Sequence, residues 1–296
     1  MKELLFNNYI MIKSNSISKV VIIGGSGFVG KACINIFKKK NILFNSINSK
    51  QCDLLKKNAY KYLVNIINDG DVVLFISAKA PCKDMSFFKK NVDMISPLIT
   101  VSKKKKISQL IYISSDAVYA DQIIEIKETS KVKPTSIHGL MHQTRENLLN
   151  IYFKDILTII RPTLIYGPND THNGYGPNKF SRLAKKDKNI NIFGKGEELR
   201  DHVFVDDVAK IILLTLTKKF IGIINAVSGS PISFERISRL IIKKFKSKSK
   251  IVYIKREMPI PHNGYRCFNI SKIKKIFMFK PTKFDKGVAY LKNIKI

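Results

Sequence analysis

The chain has 296 residues, a formal net charge of +31 and a hydrophobic content of 45%, so it can bury one large core with a smaller lobe built onto it. Its basic excess is mostly Lys spread over predicted turns and helix surfaces, whereas nucleic-acid interfaces favour Arg, and we expect no nucleic-acid partner. The four cysteines are scattered without a Cys-x-x-Cys pair and no apolar run reaches about 20 residues, which predicts a cytoplasmic protein with no bound metal and no membrane partner.

Apolar runs of strand length alternate with amphipathic stretches in the first half of the chain, which is typical of a parallel sheet wrapped by helices. After residue 170 the pattern loosens, and short strands near 190–193 and 222–225 mix with helices. The sequence predicts an α/β fold, a Rossmann-type doubly wound parallel sheet with a smaller C-terminal substrate lobe. Strands are predicted at 19–24, 42–47, 71–77, 110–115 and 156–162, and helices at 28–39, 56–67, 85–104 and 137–153.

The stretch VVIIGGSGFVG runs from the first predicted strand through a glycine-rich loop into the first predicted helix. Its glycines permit a tight turn, let the backbone approach a pyrophosphate and bring the helix close to the strand, and the helix N-terminus offers free N–H groups. A glycine turn without a ligand is the alternative, but the flanking strand and helix favour dinucleotide binding. The cofactor residues expected here are Gly24, Gly27, Phe28, Val29 and Gly30, with Ser77 and Ala78 after the third strand.

The region after the second predicted strand bears on the choice between NAD and NADP. Folds that select NAD usually place a carboxylate there for the ribose 2′-hydroxyl. This chain instead offers Asn48, Ser49 and Lys50, whose donors and positive charge suit a 2′-phosphate and favour NADP over NAD. Asp53 is a candidate for hydrogen-bonding the adenine amino group.

In the order of its motifs, the chain resembles the extended short-chain dehydrogenase/reductases of the NAD(P)-dependent epimerase/dehydratase family, which work largely on nucleotide sugars. The resemblance implies epimerisation, dehydration or reduction of a nucleotide-activated sugar for surface polysaccharide biosynthesis, and a homodimer formed through helices. Because the family includes members without activity, a non-catalytic NAD(P)-binding or sensing protein is the alternative. The matching stretches include GGSGFVG (24–30), LIYISSDAVYA (110–120), RPTLIYGPND (161–170), FGKGEELRDHVFVDD (193–207) and FNISKIKKIFMFKPT (268–282).

The expected division of the chain follows from this resemblance and from the element pattern. Residues 1–18 are predicted to be an N-terminal extension, and residues 19–168 the NAD(P)-binding domain. Residues 169–296 are predicted to form the substrate lobe, interleaved with the end of the first domain.

The stretch HGLMHQTRE falls on the family's Tyr-x-x-x-Lys motif, with His138 in place of Tyr and His142 in place of Lys. A histidine, with an ordinary pKa of about 6.5, accepts a hydroxyl proton at pH 7 without a neighbouring cation. We therefore expect His138 to act as the base, His142 to bind the nicotinamide ribose and Ser115 to orient the substrate hydroxyl. Asp116 occupies the place where the family's dehydratases carry an acid. A decayed site and half of a zinc site are the alternatives, but no third zinc ligand has a defined spacing.

The resemblance also assigns residues to the substrate. It implies that Arg200 in ELRDHV reaches the diphosphate of a nucleotide sugar, that Asn178 in GPNKF lines the same pocket and that Arg266 assists. An arginine suits a phosphate because its planar fork makes two parallel charge-assisted bonds. A salt bridge from Arg200 to Asp206 or Asp207 is the alternative.

Overall fold

The computed structural model describes residues 18–170 and 172–293, so the predicted N-terminal extension lies outside the described residues except for its last residue. No helix in these two ranges is long and apolar enough to cross a bilayer. The strands are β1 (Val20–Ile23), β2 (Phe44–Ile47), β3 (Val72–Phe75), β4 (Gln109–Ile113), β5 (Leu157–Pro162), β6 (Leu164–Tyr166), β7 (Ile190–Phe193), β8 (Leu199–Arg200), β9 (His202–Phe204), β10 (Gly222–Ala226), β11 (Ile232–Ser233), β12 (Ile251–Ile254) and β13 (Tyr265–Arg266). The helices are α1 (Phe28–Lys39), α2 (Ala59–Ile66), α3 (Met85–Asp93), α4 (Ser96–Ser102), α5 (Ile137–Phe153), α6 (Pro177–Lys185), α7 (Val205–Thr217), α8 (Phe234–Phe245), α9 (Ser271–Phe277) and α10 (Phe284–Tyr290).

Six parallel strands form the main sheet, in the order β10-β5-β4-β3-β1-β2. Because successive side chains of a strand point to opposite faces, β1 sends Val20 and Ile22 into one core and Val21 and Ile23 into the other. The first core also contains α1 and α7, and the second contains α2, α4 and α5. Helices therefore cover both faces of the sheet, which confirms the predicted doubly wound fold.

The predicted helix over 85–104 is wrong as a single element, because the structure divides it into α3 and α4. Pro97 has no N–H to donate to the carbonyl four residues earlier, and its ring disfavours helical backbone in the residue before it. The proline is well suited to the first turn of a new helix, where α4 places it. By contrast, α1 and α5 have the bounds that the sequence pattern predicts.

The second half of the chain contributes to two cores. β10 pairs with β5 and so forms an edge strand of the main sheet. A separate apolar cluster contains Phe180 of α6, Ile192 of β7 and Phe234 of α8, together with other residues of the lobe. The chain therefore leaves the main sheet after β5, returns to it at β10 and leaves it again, and the predicted boundary at residue 168 stays a prediction.

A buried ion pair fixes α5 against the main sheet. Arg161 in β5 donates to both carboxylate oxygens of Glu146 in α5, over 2.9 Å from Nε and 2.5 Å from Nη2. The hydroxyl of Ser114 donates to the same carboxylate over 2.5 Å. Since His138, His142 and Glu146 lie four residues apart along the helix, they share one face, and the ion pair sets the direction of the histidines.

Substitution Glu146→Gln should lower the free energy of unfolding by about 3–5 kcal/mol, because the buried guanidinium of Arg161 loses its counter-charge. Urea denaturation measures this change. The matched control is Glu235→Gln, which removes a largely exposed ion pair with Arg239 and should cost far less. Equal losses in the two variants would contradict the importance given to the buried pair.

Candidate active site

A cavity of about 800 Å³ lies at the carboxyl edge of the main sheet, where ligands bind in open α/β sheets. The loops after β1, β3, β4 and β5 form one side of it. α5 and residues 170, 172, 174–178 and 200–202 form the other side. Of the site residues predicted from the sequence, the cavity is lined by Gly24, Gly27, Phe28, Val29, Ser49, Ser77, Ala78, Ser115, Asp116, His138, His142, Asn178, Arg200 and Arg266, and not by Gly30, Asn48, Lys50 or Asp53.

The glycine-rich loop is shaped for close approach of a backbone or a ligand. Gly24 has φ +102°, a conformation that favours glycine, and a Cβ on Gly30 would lie 2.5 Å from the carbonyl oxygen of Gly24. This close packing brings the first turn of α1 against the loop after β1, with N–H groups of that turn unpaired within the helix. The residues present therefore fit the pyrophosphate of a dinucleotide.

The turn after β2 uses two of the predicted cofactor residues for its own structure. The side-chain oxygen of Asn48 accepts from the backbone N–H of Lys50 over 2.9 Å and of Gln51 over 3.2 Å. A carboxylate oxygen of Asp53 accepts from the backbone N–H of Leu55 over 3.1 Å. The exposed ammonium group of Lys50 thus remains the positive charge that this turn offers to a ligand.

The position of the proton on His138 follows from its hydrogen bond. The backbone N–H of Cys82 donates to Nδ1 of His138 over 3.2 Å. A ring nitrogen that accepts carries no proton, so the neutral ring has its proton on Nε2. Burial lowers the pKa of His138, although Asp116 opposes this effect, and the ring is neutral at pH 7. His138 therefore presents an N–H donor, and the expected role of base is at odds with this arrangement.

His142 is held from behind by a tyrosine. The hydroxyl of Tyr112 in β4 lies 2.7 Å from Nδ1 of His142, and both side chains are buried. The rings of His138 and His142 lie 4.7 Å apart, edge to face. Burial places the pKa of His142 well below its usual range, and the neighbouring His138 and Arg145 lower it further. Both histidines are thus neutral.

The structure brings Asp116 and Arg266 together as an ion pair. Nε of Arg266 donates to Oδ2 of Asp116 over 2.6 Å, and Nη1 donates to Asp121 over 3.1 Å. Arg266 therefore faces two carboxylates, which weakens its predicted role at a phosphate. Ser115 accepts from the backbone N–H of Ala117 over 3.1 Å, and this bond leaves its hydroxyl proton available to a ligand.

Arg200 lies beside a second arginine that the sequence analysis missed. Its Nε is 3.2 Å from one oxygen of Glu198, and Nη2 of Arg256 is 3.4 Å from the other. Of these three residues Arg200 lines the cavity, where the carboxylates of Asp116 and Asp121 and the guanidinium of Arg266 also act on it. The alternative salt bridge to Asp206 or Asp207 is wrong, because Asp207 instead pairs with Lys210 and accepts from Thr282.

Asn178, which was predicted to line the substrate pocket, hydrogen-bonds the loop that follows β6. Its amide nitrogen donates to Asp170 over 2.7 Å, and its oxygen accepts from the backbone N–H of Gly167 over 3.1 Å. The side chain thus shapes the cavity wall. The sequence carries no signal for this bond, because nothing in it links Asn178 to a partner eight residues earlier.

Residues 20–226 match the model of the NAD dependent epimerase/dehydratase family. The dTDP-D-glucose 4,6-dehydratase of Dictyostelium discoideum is 26% identical over 248 residues, which are 70% of this chain and 57% of that protein. The crystal structure of a GDP-L-fucose synthetase from Naegleria fowleri bound to NADP superposes with a TM-score of 0.80 at 20% identity, over 93% of this chain and 92% of that one. The UDP-glucose 4-epimerase of Thermus thermophilus in complex with NAD gives 0.81 at 17% identity, over 93% and 98%.

His202 gives the native protein a specific sensitivity to acid. It is buried beside the rings of Phe234 and Phe284, its Nδ1 lies 3.2 Å from the carbonyl oxygen of Arg200, and burial lowers its pKa to about 3. From about pH 6.5, the ordinary pKa of an unfolded histidine, down to about pH 3, the unfolded chain binds a proton that native His202 does not. The free energy of unfolding therefore falls as the pH falls through this window.

Substitution His202→Phe, which keeps a ring of similar size, should remove this sensitivity. Urea denaturation at pH 7, 6 and 5 should show a slope below pH 6 that is shallower by up to about 1.4 kcal/mol per pH unit than in the unmodified protein. Parallel slopes would mean that His202 takes up its proton in the native state.

Proposed function

The chain belongs to the NAD dependent epimerase/dehydratase family, and on that basis we propose that it uses NADPH to reduce a keto group of a nucleotide-activated sugar. The observation that carries this proposal is the hydrogen bond from the N–H of Cys82 to Nδ1 of His138, which leaves Nε2–H as the donor of the ring. A donor suits a substrate that arrives as a carbonyl. Oxidation of an alcohol needs an acceptor for the hydroxyl proton instead.

Two donors, on His138 and Ser115, line the cavity. A bound dinucleotide would supply the hydride for the carbonyl carbon. His138 Nε2–H and the hydroxyl of Ser115 then stabilise the negative charge that develops on the carbonyl oxygen. Neutral imidazole and water are both weak acids, but water is replenished from solvent, so the alkoxide takes the proton that completes the alcohol from water and the hydroxide formed leaves to solvent.

The nucleotide part of the substrate would be bound at the arginine end of the cavity. Arg200 and Arg256 share the single carboxylate of Glu198, and Nη1 of Arg200 has no hydrogen-bond partner within the described ranges. A diphosphate would supply an acceptor for that N–H group and a charge opposite to that of the guanidinium. The names of the relatives, which include dTDP-, GDP- and UDP-linked sugars, support a nucleotide sugar without choosing its base.

The dinucleotide fits the loop after β1, and we assign NADP over NAD on the turn after β2. Neither Asp53 nor Lys50 of that turn lines the cavity, but the carboxylate of Asp53 accepts from the backbone N–H of Leu55, whereas the exposed ammonium of Lys50 can reach a 2′-phosphate. The reducing direction also suits NADPH. Gly24, Gly27 and the first turn of α1 would hold the pyrophosphate, with Ser77 and Ala78 at the neighbouring strand end.

The remaining parts of the proposal concern context. A reduced nucleotide sugar would serve surface polysaccharide biosynthesis in the cytoplasm. A homodimer would bury Leu140, Ile151 and Tyr152, large apolar side chains that α5 leaves exposed. The rival function is a non-catalytic NAD(P)-binding or sensing protein, which the replacement of both motif residues by neutral histidines favours.

NADPH should bind more tightly than NADH, and Lys50→Glu should narrow or reverse the difference, because the substitution sets a negative charge against the 2′-phosphate. Fluorescence titration of each dinucleotide measures the affinities. The matched control is Lys188→Glu, an equal charge change at an exposed lysine outside the cavity. Equal affinities for NADPH and NADH in the unmodified protein would remove the argument.

The reaction is tested by incubating the protein with NADPH and 4-keto-6-deoxy sugars linked to dTDP, UDP or GDP, and following NADPH absorbance. Substitution His138→Phe should lower kcat by about 10²–10³-fold while NADPH affinity is kept, because one donor to the developing oxyanion is lost. His138→Gln keeps an N–H donor and should retain more of the rate.

Arg200→Met should raise KM for the sugar nucleotide and leave NADPH affinity nearly unchanged.

The pH profile and the variants separate the rivals. If His138 is a neutral donor, kcat should not rise through pH 6–7, as it would for an imidazole base. A rate that rises through that range, with oxidation of an alcohol as the observed reaction, would contradict the proposal and restore the base. Binding of NADPH without turnover of any sugar nucleotide would favour the silent binder.

A further inference from the structure

Arg145 in α5 is a buried cation without a counter-charge. Its side chain is inaccessible to solvent, and none of the ion pairs found among the described residues includes it. Nη2 donates to the carbonyl oxygen of Ser77 over 2.9 Å, while Nε and Nη1 have no partner in the described part of the chain. Its guanidinium carbon lies 4.5 Å from the ring of Phe75 and 5.0 Å from that of Tyr112.

Such a group is costly to bury. Moving a charge out of water without an opposite charge carries a large desolvation penalty, which two aromatic faces and one carbonyl offset only in part. The neighbouring Arg161 shows the usual solution, since the carboxylate of Glu146 neutralises it. A neutral side chain of similar size would pack between Phe75 and Tyr112 at lower cost, so packing does not account for the charge of Arg145.

The charge lies directly behind the histidine pair. Arg145 follows His142 by three residues, so the two lie on adjoining parts of one helix face, and both contact Tyr112. The phenol of Tyr112 has Nδ1 of His142 as its one hydrogen-bond partner among the described residues. A cation beside the tyrosine attracts the hydroxyl oxygen and repels the hydroxyl hydrogen. The charge therefore favours the arrangement in which the hydroxyl hydrogen points at Nδ1 over the one in which Nδ1–H donates to the phenol.

We propose that Arg145 is a positioning residue whose charge makes Tyr112 donate to Nδ1 of His142, so that His142 keeps its proton on Nε2 and offers that N–H to an oxygen of the bound dinucleotide. The proposal rests on the proposed function only in placing a dinucleotide in this cavity. In the family's motif, a cation enters the site at position 142. In this chain the cation is Arg145, almost one helical turn further along α5, and the residue at position 142 is a neutral histidine.

The charged and titratable groups near His142 lie on several elements. Asp116, on a short segment that packs against α5, acts on the neighbouring His138 and forms an ion pair with Arg266. α5 contributes His138, Arg145 and Glu146, and the carboxylate of Glu146 is occupied by Arg161 of β5. β4 contributes Tyr112, whose pKa burial raises and Arg145 lowers. Among the groups that shift the pKa of His142, Arg145 is the one permanent charge, and no ion pair found among the described residues neutralises it.

The test is long-range ¹⁵N–¹H NMR of the full-length protein labelled with ¹⁵N-histidine, with His142 assigned from the spectrum of His142→Gln. In the unmodified protein, His142 should show a proton on Nε2, none on Nδ1, and no protonation down to pH 5. Arg145→Gln keeps an N–H donor for the carbonyl of Ser77 but removes the charge. Its His142 should take up a proton at a midpoint higher by about 1 pH unit or more, since a neighbouring charge shifts a pKa by about that amount.

Arg145→Lys keeps a charge and should restore the unmodified titration. If Arg145→Gln matches the unmodified protein, the arginine serves only as a donor to Ser77, and the proposal is overturned. If Arg145→Gln does not fold, the unmodified spectrum still decides, because a proton on Nδ1 of His142 would overturn the proposal by itself. Absence of turnover with sugar nucleotides would refute the proposed function and leave these spectra interpretable.

Discussion

The bidentate ion pair between Glu146 and Arg161 is the constraint on which the site depends. It joins α5 to β5 inside the protein, and the hydroxyl of Ser114 at the end of β4 completes it. Because an α-helix repeats its direction every three to four residues, fixing residue 146 also fixes the face that carries residues 138 and 142. The histidines can then meet partners that belong to other parts of the fold.

Those partners give the site its chemical character. One backbone N–H and one phenol occupy the Nδ1 atoms of the two histidines; this leaves neutral His138 with an N–H donor on Nε2, and we propose the same for His142. Arginine charge lies at two places, behind His142 and at the lobe end of the cavity. The histidines and Arg200, which line the cavity, suit carbonyl, ribose and phosphate oxygens, and a keto-sugar nucleotide with a dinucleotide brings all three.

The sequence was informative where local rules decide the structure. The spacing of glycines 24, 27 and 30 after an apolar strand predicts the loop, and apolar periodicity predicts the bounds of α1 and α5. It was uninformative where distant residues meet. His138 is 56 residues from Cys82, and Asp116 is 150 residues from Arg266, so neither the tautomer of the first nor the ion pair of the second has a local signal. The sequence shows that residue 138 is a histidine, but its role depends on which ring nitrogen carries the proton, and the backbone N–H of Cys82 decides that.

The most direct test of this account is the proton position on His138 at pH 7, read from the ¹⁵N shifts of its two ring nitrogens in the protein bound to NADPH. The account predicts a neutral ring with the proton on Nε2 and an accepting Nδ1. A proton on Nδ1, or an imidazolium ring, would contradict the donor role of His138 and with it the proposed reduction of a carbonyl.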